Sequence, residues 1–130
     1  LLELPDVKKI VQYWKQMTMA IVGIGVAPLE DQFLFYDYVG ELEKIQLSKK
    51  GAVGDICLQF FDINGLPMDY INHENISVDL NILKTVKSVI AIAGGKEKVQ
   101  GIIGASRAKY INCLVTDEYT ATAILNRLKN

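Results

Sequence analysis

A single histidine, a single tryptophan, two cysteines and three prolines are spread through this sequence, and neither sign of charge is concentrated anywhere in it. Each scarcity excludes something. The one histidine, His73, lies in a polar stretch, so no set of residues stands at metal-ligand spacing and no base sits beside either cysteine. The 14 basic and 15 acidic residues leave a net charge of -1. The densest basic groups, Lys49-Lys50 and Lys96 with Lys98, are too small to displace counterions along a nucleic-acid backbone. No apolar run approaches the ~20 residues that span a bilayer, and no charged start followed by an apolar stretch marks a secretion signal. Cys57 and Cys113 each fall inside an apolar run that reads as a buried strand. Two reduced core thiols are expected from this, not a disulfide, and with them a cytoplasmic setting.

What is present is alternation. Half of the 130 residues are hydrophobic, enough to bury a core within one domain or a piece of one. An amphipathic segment, about Val7 to Met17, carries Val7, Ile10, Val11 and Trp14 at helical spacing. Met19-Ala20-Ile21-Val22 then reads as a buried strand stopped by Gly23-Ile24-Gly25. A helix is predicted over Leu34 to Leu47, and a strand over Ile56 to Phe61. The strand closes at Asp62-Ile63-Asn64-Gly65, a turn returning to a short partner strand, Leu66 to Tyr70. Phe60 and Phe61 point to opposite faces and both read as core. A short helix follows, from Leu80 to Thr85.

The last stretch is the most regular. Ser88 to Ala93 reads as a strand, Gly94-Gly95 as a tight turn, Lys98 to Ala108 as a helix and Asn112 to Val115 as a strand. Asp117, with Thr116 as the alternative, N-caps a final helix reaching about Leu128. Strand, helix, strand, helix with short loops means parallel strands and right-handed crossovers. The fold class is therefore α/β, an open and mostly parallel sheet flanked by helices.

Open parallel sheets bind ligands beyond the carboxyl ends of their strands. Gly23-Ile24-Gly25, Gly94-Gly95 and Thr116-Asp117-Glu118 stand at such ends. The first is no dinucleotide fingerprint, because Pro28 takes the third glycine position, and it reads first as an ordinary turn. Lys98 follows the double glycine in the first turn of a helix, where the dipole disfavours a cation unless an anionic or polar ligand shares the site, and it reads equally as a solvated surface lysine. Asp55, beside Gly51-Ala52-Val53-Gly54, can accept sugar hydroxyls or cap a local turn. Asp117 reads as a helix cap.

Three motifs in order carry a family resemblance. They are Gly51-Ala52-Val53-Gly54-Asp55-Ile56 with Phe60-Phe61-Asp62, Val89-Ile90-Ala91-Ile92-Ala93-Gly94-Gly95 with Lys98, and Leu114-Val115-Thr116-Asp117-Glu118 with Thr120-Ala121. Together with Ile21-Val22-Gly23-Ile24-Gly25 they resemble the effector-binding domain of SorC-type transcription regulators, a bacterial sugar-sensing family.

That resemblance implies a Rossmann-like fold similar to ribose-5-phosphate isomerase, glucosamine-6-phosphate deaminase and the CoA-transferases. It implies a phosphorylated sugar as effector, no cofactor, and dimers or tetramers. Residues 1–130 would be the C-terminal part of the effector-binding domain. DNA would be read by a helix-turn-helix domain outside this chain. Asp55 would bind effector hydroxyls, Lys98 would contact the ligand, and Gly25, Gly94 and Gly95 would shape the pocket. The family's effector domain is longer than this chain, and its first half holds the phosphate on a Gly/Ser/Thr-rich loop. Where the family often has an arginine before Ile76, this sequence has Glu74-Asn75. Two other readings stand beside the sensor: a sugar-phosphate isomerase or deaminase of the same fold, and an oligomerisation module with an empty crevice.

Overall fold

Pro5 at the first helical position, Asp6 in the first turn and Lys15 in the last set the limits of α1 (Pro5–Lys15). The computed structural model describes residues 2–27, 39–69 and 76–130. Pro28, the stretch Leu34–Tyr38, His73 and Glu74-Asn75 lie outside the described residues. In α1, Val7, Val11 and Trp14 are half-buried and Ile10 is exposed, so the apolar stripe is only partly covered.

After α1 come β1 (Met19–Gly23), β2 (Gly25–Val26) and α2 (Glu41–Lys49). The helix predicted from Leu34 therefore starts only after Gly40, within the described residues. β3 (Gly54–Ile56), β4 (Gln59–Phe61), α3 (Leu80–Leu83) and β5 (Ser88–Ile92) follow. A 3-10 turn over Lys96–Lys98 leads into α4 (Val99–Arg107), and β6 (Cys113–Val115) and α5 (Glu118–Lys129) complete the order.

The parallel sheet is as expected. β5 lies between β1 and β6, parallel to both, with Ile21 opposite Ile90 and Ile92 opposite Val115. Val89 and Ala91 point into the main core with Ile102, Ala105 and Tyr110. On the other face Met19, Ile21, Ile92 and Val115 are each more than half exposed. Cys113 belongs to this outer face and is exposed, contrary to its reading as a core thiol. Its position in the pleat, opposite Ile90, decides that. Asn112 ties β6 to its neighbour: its Oδ1 accepts from the Val89 N–H at 2.9 Å and its Nδ2 donates to the Lys87 carbonyl at 2.9 Å.

A second, antiparallel sheet, β2-β3-β4, departs from the single sheet expected. The strand predicted over Ile56 to Phe61 is in fact the turn and second arm of a tight hairpin. Cys57 and Leu58 take φ of 54° and 62°, the two positive values of a type I′ hairpin turn. Neither residue signals such a turn by type, since left-handed backbone costs an L side chain roughly 1–2 kcal/mol. Cys57 sits at the tip, exposed, so the second thiol is also outside the core. The predicted turn at Asn64-Gly65 is present too, with Asp62 Oδ1 accepting from the N–H groups of Asn64 and Leu66, each at 2.9 Å. The returning chain meets β4 in one bridge, Phe61 to Pro67, where proline has no N–H to extend the ladder.

Adjacent phenylalanines serve two cores. Phe61 joins the main cluster with Ile56, Leu83 and Tyr110, and Phe60 joins Val39, Leu47 and Ala52 under α2. The hairpin docks on α4 almost backbone to backbone: a Cβ added at Gly54 would stand 2.8 Å from Gly101 Cα. This contact sets β3 against α4, the helix that follows Lys98. Among the described residues no helix is long and apolar enough to cross a membrane.

Candidate functional site

Asp55 is the middle residue of β3, paired with Gly25 of β2 on one side and Phe60 of β4 on the other. Its side chain is only 6% exposed. Oδ2 accepts a hydrogen bond from the Leu58 N–H at 3.0 Å, bracing the positive-φ turn. Oδ1 is buried with no hydrogen-bond partner among the described residues. Burial pushes the carboxyl up to a pKa of about 6, against the opposing pull of the Leu58 N–H and the Lys98 ammonium. Asp55 thus caps a turn with one oxygen and keeps the other free, so both roles weighed from its residue type are open to it.

Lys98 ends the 3-10 turn that opens on Gly95. Its side chain lines a shallow depression of about 320 Å³ at the carboxyl ends of β5 and β6. Gly94, Thr116 and Asp117 line that depression too, together with Ile92, Ala93 and Val115. The structure therefore brings Gly94 and Lys98 to one depression and makes Asp55 sense the Lys98 charge. Asp55 and Gly25 do not line the depression. They stand beside it on the second sheet, whose strand β2 packs on the 3-10 turn.

The loops at the ends of β5 and β6 are joined by Thr120, to which residue-type reasoning assigned no role. Its hydroxyl accepts from the Gly95 N–H at 2.8 Å and donates to Asp117 Oδ2 at 2.8 Å, while Asp117 Oδ1 accepts from the Thr120 N–H at 2.8 Å. These bonds hold the Asp117 carboxyl below its usual range. Asp117 is the cap of α5, as expected. The signal was available in Thr116-Asp117-Glu118-Tyr119-Thr120, a capping residue with a hydroxyl three positions on. Gly95, at φ 114°, occupies backbone that side chains avoid, and at Gly94 a Cβ would lie 2.6 Å from Asp117 Oδ2. Thr120→Val is expected to cost about 1–3 kcal/mol by leaving the Gly95 N–H unpaired, read as a lower urea midpoint at unchanged slope.

A larger hollow, about 410 Å³, lies by Lys15 and α3. Its Asp79 and Thr85 are engaged locally, with the Asn81 N–H at 2.6 Å and the Ile82 carbonyl at 2.7 Å. It offers less to a ligand. Among the described residues no three His, Cys, Asp or Glu side chains gather as a metal site.

Residues 1–126 match the family described as "Putative sugar-binding domain". The chain belongs to the sugar-binding domain family of SorC-type transcription regulators. It is 38% identical over 119 residues to the sorbitol operon regulator of Klebsiella pneumoniae, covering 91% of this chain and 38% of that protein. It is 39% identical over 123 residues to the deoxyribonucleoside regulator of Bacillus subtilis, covering 94% of this chain and 39% of that protein. Among solved structures, a probable sor operon regulator from Shigella flexneri superposes with a TM-score of 0.85 at 38% identity, over 95% of this chain and 48% of that one. A transcriptional regulator from Streptococcus pneumoniae reaches 0.90 at 29% identity, over 99% and 50%. This sugar-binding domain family chain thus spans about two fifths of the length of the curated relatives it matches.

Proposed function

We propose that this chain is the effector-sensing part of a cytoplasmic, sugar-responsive transcription regulator, with a phosphorylated sugar as its ligand. The observation that carries the reading is the buried Asp55 carboxylate, with one oxygen unpaired and the Lys98 charge acting on it. A carboxylate accepts and an ammonium donates, so together they suit a run of sugar hydroxyls. Lys98 meets the ligand directly, Asp55 orders its hydroxyls, and Gly25, Gly94 and Gly95 keep the backbone close to it. Effector binding shifts a dimer or tetramer between arrangements by its difference in affinity for them, and a helix-turn-helix domain outside these residues reads DNA.

The test is thermal unfolding of the chain with sorbitol, named in one relative, with deoxyribose, the sugar part of the deoxyribonucleoside named in another, and with their terminal phosphates. Stabilisation by a phosphorylated member is expected, growing with concentration toward about 2.7 kcal/mol at a hundredfold excess over Kd. Lys98→Met and Asp55→Asn are each expected to abolish it. Chemical turnover of the stabilising sugar phosphate would move the chain from sensor to isomerase or deaminase.

A further inference from the structure

Among the described residues, two buried side-chain polar atoms have no hydrogen-bond partner: Asp55 Oδ1 and Thr116 Oγ1. Buried polar groups are nearly always paired, so each orphan asks for an explanation. Thr116 follows β6 directly and lines the same depression as Lys98. Its neighbour offers a contrast within one turn of chain. The Thr120 hydroxyl is equally removed from solvent, yet it both donates and accepts at 2.8 Å. The local backbone can therefore satisfy a hydroxyl here, and it leaves that of Thr116 unsatisfied. Gly94 adjoins it: a Cβ there would stand 3.9 Å from Thr116 Oγ1, an ordinary contact.

We infer that Thr116 is a further effector-binding residue, whose hydroxyl pairs with a hydroxyl of a sugar held at Lys98. The assignment rests on the proposed function and extends it across the crevice, to the loop after β6. Thr116 as a residue is half-exposed while its oxygen is closed to water. Pairing with a bound sugar would require that oxygen to move to another staggered χ1 position. Bound sugar then supplies the partner that the empty protein withholds. A hydroxyl can donate or accept, so Thr116 reads a neutral hydroxyl. The carboxylate of Asp117, which lines the same depression, disfavours a phosphate at this end.

The inference has a signature that a structural threonine lacks. Thr116→Val removes an unpaired buried hydroxyl and keeps the shape, so the unliganded melting point is expected to hold or rise. The same variant is expected to bind sorbitol 6-phosphate or deoxyribose 5-phosphate, whichever stabilises the wild-type chain, about tenfold more weakly, equivalent to about 1.4 kcal/mol. Thr116→Ser restores the affinity. A lower melting point in the unliganded Thr116→Val chain would assign the hydroxyl to the fold and overturn the inference. Unchanged affinity in that variant would overturn it too, leaving the proposed function standing. If neither sugar phosphate nor its parent sugar stabilises the wild-type chain, the proposed function falls and this contact with it.

Discussion

Tyr110→Ala is expected to lower the unfolding free energy by about 3–5 kcal/mol, the usual loss for a buried large aromatic. Tyr110 is fully buried between α4 and β6, its ring centroid 5.6 Å from that of Phe61 at an interplanar angle of 52°. The Lys84 ammonium lies 5.2 Å from the ring centre. The hydroxyl donates to the Gly65 carbonyl, joining the end of α4 to the turn after β4. Removing the side chain opens a cavity under the hairpin that carries Asp55 and orphans a carbonyl in one stroke. Tyr110→Phe keeps the ring and is expected to cost about 1–2 kcal/mol. Domains of this size hold only about 5–15 kcal/mol in total, so the alanine variant should be partly unfolded well before the wild type in urea. A loss under 1 kcal/mol would mean that the ring is not part of the cooperative core.

The second large effect concerns pH. Asp55 has a folded-state pKa of about 6 against an ordinary 3.8, raised by burial. For an acid whose pKa rises on folding, the favourable condition is the protonated one. Stability is then fully present below about pH 4 and is lost as pH climbs through about 6, amounting to about 3 kcal/mol at neutral pH. Asp55→Asn carries no charge at any pH, so at pH 7 it is expected to be more stable than the wild type by up to that amount. Below pH 4 the two chains should converge. The measurement is the difference in unfolding free energy between the two, taken from pH 4 to 7, because every other carboxylate cancels in it. A difference that does not grow over this range would show that the Asp55 charge is not the destabilising element. A carboxylate that weakens the fold at the pH where it would bind ligand is the trade expected where function sets a residue.

Much of the positioning was legible in local pattern. The parallel strands β1, β5 and β6 announce themselves as apolar runs closed by glycine or a capping residue, because their pairing needs no special backbone. Asp117 as the cap of α5 follows from its place before a helical stretch. The hairpin at Cys57-Leu58 was hidden, since its turn uses residues that avoid positive φ and is braced by the Asp55 side chain. The surroundings impose it: Ile56, Phe60 and Phe61 must all be buried, in two different clusters. For the same reason both cysteines were misplaced, because an apolar run does not say which of its faces the rest of the molecule covers.

Residue order alone determined the class of fold, the family and the identity of the polar groups at the strand ends. Motifs at set spacings carry that information, and local periodicity is enough to read it. Tertiary structure alone decided which of those groups meet. It gave Lys98 a place in the depression and a charge that acts on Asp55, clipped Gly95 to Asp117 through Thr120, and left two buried oxygens without partners among the described residues. Burial and satisfaction of polar atoms depend on segments distant along the chain, packed here by the near-contact of Gly54 with Gly101. No local pattern contains them.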